Sequence, residues 1–555
     1  MSFDVPVAAP GPSRKPTRPR SRGGLALALW LAMVPAAASD GAAARAAQSP
    51  GATIGEVTIV RHDVFDTGIE GENKKAYRFA NRLHRRTREP VVERLLLFAP
   101  GDPYQPALLE ETARLLRAQG YLREAEVRAV PRGDGRVDVV VETWDAWTLN
   151  PGVQGNVGGG DSEYGIELEE GNVLGTGARF SIAQRSRRDR DETRLTWRHD
   201  HQFGRWVGLE TQLRDTSDGS GWAVAIGQPF YALGTRRAWG LSVDRQASEE
   251  PFYVRGDKVA EYRQRNRDVE VWWGASAGLD GNRVRRWRFG LREQQRRFAP
   301  STDPALVGPV PEDRHLVGPW AGVEWQQDDW AVLRNRDQIG VTEDVRLGLR
   351  WTARLGWAGE SLGSDRDAAW WEIEASRGYP VGERDLLRLD AHSAGRLEQG
   401  RARDATLGAR ARFYRQIDDR QLFYAVLEGE RGYQLDLDGR PTLGSDTGLR
   451  GYPDRWANGH SWARLGLERR YFTDWYPGRL FRVGGAVFLD VGRTWGRDAL
   501  GGDNPGLMAD LGVGLRLGNT RSSFARMIHV DLAVPLDDDP ALDKVSVVIE
   551  ARREF

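Results

Sequence analysis

From about residue 149 to the C-terminus, apolar and polar positions alternate between turns, and the helical period is absent. The clearest window is Val345–Trp357. Val345, Leu347, Leu349, Trp351, Ala353, Leu355 and Trp357 fall on one parity; Arg346, Gly348, Arg350, Thr352, Arg354 and Gly356 fall on the other. Successive side chains of a strand point to opposite faces, so one face is wholly apolar and the other carries three arginines. The dyad recurs at Leu511, Val513, Leu515 and Leu517 against Gly512, Gly514 and Arg516, and again at Val545, Val547, Ile549 and Ala551. A soluble sandwich would turn such an apolar face to a core, whereas a membrane barrel turns it to lipid and leaves Arg, Gly and Thr in a wet lumen. At roughly 25 residues per strand and connection, residues 149–555 hold about sixteen antiparallel strands, within the range of bacterial barrels. The stretches near Ala299–Arg314 and Ser361–Asp367 are rich in Pro or charge and predict loops.

Residues 52–148 have a different texture. Thr53–Val60 alternates as a strand. Val91–Phe98 has helical spacing, Pro100-Gly101-Asp102 breaks it, and Pro106–Gln119 is a second amphipathic helix ending at Gly120. Ala125–Val130 and Arg136–Glu142 predict two strands joined by a Gly-rich turn. The order β-α-α-β-β describes a small α+β domain with an open sheet edge. Ahead of it, residues 1–48 have the texture of an export signal and leader. Five basic residues from Arg14 to Arg22 precede the apolar run Gly24–Val34, and small residues follow at Pro35–Ser39.

Composition narrows the classes. The 555 residues exceed one ordinary core. Mean hydropathy is -0.56, and no internal run is long and apolar enough for a transmembrane helix. Sixty-five Gly and 21 Trp beside 28% charged residues suit many tight turns and aromatic girdles better than a soluble core. Lys+Arg and Asp+Glu are equal at 79, so net charge gives no nucleic-acid signature, and no nucleotide-binding motif occurs. The absence of cysteine excludes disulfides, thiolate metal sites and a Cys nucleophile, and fits an oxidising export route.

The informative motif is Gly448-Leu449-Arg450-Gly451-Tyr452-Pro453, followed by Gly484–Trp495 (GGAVFLDVGRTW). Parity places Val487, Leu489 and Val491 on one face, and Phe488 and Asp490 toward the lumen. A carboxylate in a confined, partly dry site requires a partner. Arg450 on an inward-folded loop supplies a planar fork suited to it, and Glu468, lumen-facing by parity with Leu465 and Leu467 outward, is placed to share it.

These residues resemble the bacterial surface-antigen superfamily, the BamA/TamA and two-partner-secretion transporter type. Leu449–Tyr452 is similar to that family's Val-Arg-Gly-Phe/Tyr loop motif, and Gly484–Gly492 to its lumen-facing Phe-x-Asp strand. Glu170–Gly177 resembles its early barrel turn, and Val530–Leu536 its penultimate strand. The unit with Gly101-Asp102-x-Tyr104 and Gly120-Tyr121-Leu122 is similar to one polypeptide-transport-associated (POTRA) domain. The resemblance implies one POTRA domain at 52–148 ahead of an outer-membrane barrel at 149–555. It also implies a loop–lumen lock of Arg450, Gly451, Tyr452, Glu468, Phe488 and Asp490, and an insertion signal ending in the terminal aromatic Phe555. The family usually carries several POTRA domains, and only one is found here.

The implied function is assembly or translocation of polypeptide at the outer membrane. The POTRA domain would sit in the periplasm and capture polypeptide substrates or assembly partners, and the barrel would contact the lipid bilayer. The alternative is a passive pore or surface antigen whose arginines select anions. An enzyme is not expected. Gly274–Gly278 and Gly359–Gly363 fit Gly-x-Ser-x-Gly, but neither precedes a helix as that motif requires. Asp436-Leu437-Asp438-Gly439 reads as a hairpin turn, and the eight histidines lack metal-ligand spacing, so no metal or cofactor is expected.

Overall fold

A computed structural model describes residues 51–552, apart from 133, 159–160, 187–188, 499 and 523–526. The expected leader (1–48) and the expected insertion signal at Phe555 lie outside the described residues.

The N-terminal domain forms a three-stranded sheet from β1 (Thr53–His62), β2 (Leu122–Pro131) and β3 (Arg136–Asp145), in the order β1-β3-β2. β3 pairs parallel with β1 and antiparallel with β2. Three helices accompany it: α1 (Lys75–Leu83), α2 (Glu89–Leu95) and α3 (Pro106–Arg117). Proline opens both α2 and α3, where its fixed φ and missing N–H cost nothing. Val91, Val92, Leu95, Leu109 and Leu116 meet Ile54, Leu122, Val139 and Val141 in one core. The order is thus β-α-α-α-β-β, with one helix more than the apolar spacing predicts. α1 buries none of its residues, so the polar segment 66–88 carries no core stripe that would mark it as a helix.

From Leu149 the chain builds a transmembrane β-barrel of twenty antiparallel strands, each hydrogen-bonded to its neighbours in sequence. The expected sixteen is corrected to twenty. Several strands are short, such as the nine-residue Arg350–Ala358, and two-residue connections at 281–282, 399–400 and 419–420 shorten the repeat. The ring meets at a seam where the last strand (Ser546–Arg552) touches the first (Leu149–Gly158) through Val547–Val157, Val548–Asn156 and Ile549–Gly155. The neighbouring strands Arg237–Val254 and Asp257–Asp280, by contrast, pair along their whole facing length.

The parity expected of the wall is observed. Leu355, Val487, Leu511 and Val513 are exposed on the lipid face, while Phe488, Asp490 and Arg516 are buried inside. The window Val345–Trp357, however, is two elements. Thr342–Arg346 pairs with Trp330–Arg334 in a separate hairpin, and only Arg350–Ala358 belongs to the wall. A two-residue period is common to both elements, so alternation runs across the break at 347–349. The hairpin hangs from the end of the barrel that faces the N-terminal domain, and Val345 is buried there with Ile339, Leu386, Tyr414 and Phe472.

Candidate functional site: a locked loop and a plugged mouth

The connection 434–460 leaves the far end of the barrel and folds back inside. Leu443, Leu449, Tyr452, Trp456 and Ala457 pack with Met508 into a small apolar cluster. Gly448, at φ 99°, turns the chain so that Arg450 points down the lumen. Arg450 Nε donates to Asp490 Oδ2 at 2.7 Å and Nη2 to Asp490 Oδ1 at 3.1 Å, the bidentate geometry that only arginine offers. Nη1 donates to Glu468 Oε2 at 3.2 Å and to Asp531 Oδ2 at 3.0 Å. The guanidinium lies 3.3 Å from the centre of the Phe488 ring. Gly451 runs so close to the wall that a Cβ would stand 2.6 Å from Asp510 Cβ. The Tyr452 hydroxyl donates to Ala509 O at 2.9 Å and accepts from Ala509 N at 2.8 Å.

All six candidate residues therefore meet in one buried constellation. Three others complete it. Arg470 Nε donates to Glu468 Oε1 at 2.9 Å, Arg516 Nε to the same oxygen at 3.1 Å, and Arg516 also pairs with Asp531. Three guanidiniums thus face Glu468, Asp490 and Asp531, which offsets the desolvation of each charge. Parity was the available signal: Arg516 alternates with Leu515 and Leu517, and Asp531 with Leu532.

A second structure occupies the near mouth. The hairpin tip is held by Glu343, whose carboxylate accepts from the backbone N–H groups of Arg336, Asp337 and Gln338 at 3.0–3.1 Å. Burial, with the neighbouring Asp337, pushes the Glu343 carboxyl up to about 7. Ile339 sits in the wall's apolar cluster, and the Tyr414 hydroxyl donates to Asp337 at 2.7 Å. Arg470, already on Glu468, also donates to Arg336 O at 2.9 Å, so hairpin and loop share one residue.

The N-terminal domain grips this hairpin and the barrel rim. Arg117 of α3 makes two hydrogen bonds to Asp344, at 2.7 and 2.6 Å, and Arg114 pairs with Asp328 at 3.1 Å. Thr342 donates to Glu124 at 2.7 Å, and Glu111 accepts from Leu233 N at 2.7 Å. The early turn also docks here. Arg88 N donates to Gly175 O at 2.9 Å, and Asn172 donates to Thr87 Oγ1 at 2.8 Å. A Cβ on Gly175 would lie 2.5 Å from Arg86 O. Sequence reasoning singled out that turn but missed the hairpin and this contact, because neither the donors nor their partners form a local motif.

Residues 77–143 match the POTRA family model, described as surface antigen variable number repeat. A search of curated proteins returns no match. Among solved structures, the chain is similar to BamA from Haemophilus ducreyi lacking POTRA domains 1–3, at 12% identity and TM-score 0.37, over 89% of this chain and 85% of that one. It is also similar to CdiB from Acinetobacter baumannii, at 12% identity and TM-score 0.42, over 90% and 74% of the two chains. CdiB from Escherichia coli gives 13% identity and TM-score 0.43 over 89% and 76%. Residues 77–143 thus belong to a domain of the POTRA family, and that domain leads directly into an antiparallel barrel.

Proposed function

We propose that this protein captures unfolded polypeptide on its POTRA domain in the periplasm and inserts or secretes it at the bacterial outer membrane, without an enzymatic step. The observation that carries the reading is the POTRA sheet order. β2 is an edge strand, and among the described residues no strand pairs with its outer side, while the same domain is fastened over the barrel mouth. An extended chain adds to such an edge by backbone hydrogen bonds with little demand on its sequence. The seam between first and last strands, paired at three positions among the described residues, is the place where the barrel wall parts at least cost. Binding and folding energy then drive transfer.

The competing reading is a passive pore, which the hairpin at the mouth and the lumen's paired arginines disfavour. The test is photo-crosslinking from Arg128 or Val130 on β2 in the full-length protein, using unfolded polypeptides of unrelated sequence. Crosslinks should form with each and disappear when the polypeptide's backbone amides are N-methylated. Crosslinking that ignores N-methylation, or open-channel conductance with no crosslinks at all, would overturn the proposal.

A further inference from the structure

Between α3, the hairpin and the barrel wall lies a cavity of about 650 Å³. Six arginines and four acidic side chains line it. One lining arginine, Arg286, shares its counter-charge with two arginines outside the lining. Arg286, Arg288 and Arg350 all reach the single carboxylate of Glu324, at 2.7, 3.2 and 3.4 Å. Arg346, on the hairpin strand beside them, has no carboxylate partner among the described residues, and its Nε is buried without a hydrogen bond. It lies 4.7 Å from the centre of the Trp330 ring, with Arg114 at 5.2 Å from the same ring. Burial and the nearby Arg350 push the Arg346 guanidinium down to about 10, the direction expected of a cation short of counter-charge.

A half-buried, underpaired cation in a cavity that can hold a ligand is an arrangement awaiting an anion. Arginine's planar fork fits a carboxylate in two bonds. The walls around it are Trp330, Tyr231 and Phe230, flat apolar surfaces that suit the body of a peptide better than a hydrated inorganic ion. The cavity also lies where the POTRA domain meets the barrel mouth.

We propose that this cavity is a carboxylate-binding subsite for polypeptide on its way from the POTRA domain to the barrel, with Arg346 as the group that takes the charge. The inference rests on the proposed function above and adds to it a chemical preference. The carboxylate has two sources, an Asp or Glu side chain or a free C-terminus.

The test uses the full-length protein in detergent micelles and a short, fluorescently labelled extended peptide. The peptide is prepared with one Asp or with Asn in its place, and with a free or an amidated C-terminus. Wild type should bind a carboxylate form roughly tenfold or more tightly than its uncharged twin, the range for a charge-assisted hydrogen-bonded pair. Which twin shows the difference identifies the source. Arg346→Gln should bind all forms alike, and Arg346→Lys should retain part of the preference. Among the described residues the Arg346 side chain makes no hydrogen bond, so both variants should keep the wild-type β-sheet circular dichroism. Peptide binding that is blind to charge in wild type, or a preference that survives Arg346→Gln, overturns the subsite alone. Absence of binding by every peptide overturns polypeptide capture along with it.

Discussion

Replacing Arg450 with alanine removes a guanidinium that ties the inward loop to three strands. Its consequences differ for its three partners. Glu468 keeps Arg470 and Arg516, and Asp531 keeps Arg516. Asp490 loses both of its charge-assisted bonds at once and stays buried beside Asp510. Breaking one side of a buried ion pair costs about 3–5 kcal/mol, and losing the stacking on Phe488 adds about 1 kcal/mol. Asp490→Ala is milder, because Arg450 still holds Glu468 and Asp531, and it should cost about 1.5–3 kcal/mol. The double variant should be little worse than Arg450→Ala alone, with a coupling of about 1.5–3 kcal/mol. The assay is limited proteolysis of the connection 434–460 in the folded, membrane-inserted protein, across the two single variants and the double one. Cleavage should accelerate most for Arg450→Ala and no further on adding Asp490→Ala. Equal effects of the two single changes, or additive effects in the pair, would refute the reasoning.

Gly451→Ala should free the same loop, at about 1–3 kcal/mol, because its Cβ would meet Asp510 Cβ at 2.6 Å and Pro535 N at 3.1 Å; faster proteolysis at the loop checks it. The raised carboxyl of Glu343 makes the hairpin pH-sensitive. Its stabilisation is complete below the ordinary value of 4.5 and is lost as pH rises through about 7. Hydrogen exchange of the hairpin amides should therefore quicken across that window, and Glu343→Gln should flatten the profile. Arg117→Ala should loosen the POTRA domain from the hairpin by about 1–2 kcal/mol, since both side chains of its pair with Asp344 are mostly buried. Exchange in 342–346 should rise equally in Asp344→Ala and no further in the double variant.

The barrel was legible because its code is local. A strand with one lipid face writes its orientation into every second residue, so Val487 and Leu489 outward and Phe488 and Asp490 inward follow from parity alone. Arg450 was found for the same reason: a lumen carboxylate requires a cation, and the sequence has an arginine in a Gly-flanked turn at reach. Strand number was not legible, because connection lengths vary from two residues to the 27 of 434–460. The hairpin was hidden by the very alternation that revealed the wall, since Val345 inside and Leu355 outside share one parity across 347–349. The POTRA–barrel contacts were hidden for a different reason. Arg117 and Asp344 lie far apart in sequence, and nothing in either segment names the other.

The central claim is that the barrel and its POTRA domain act on polypeptide rather than on small solutes. The most direct measurement is the rate at which an unfolded outer-membrane polypeptide becomes membrane-inserted or enclosed in vesicles carrying the purified full-length protein, compared with empty vesicles and with vesicles carrying Arg450→Ala. The account predicts acceleration by the wild type, strongly reduced by Arg450→Ala. An unchanged rate in all three, with steady ion conductance through the wild type in the absence of any polypeptide, would contradict it.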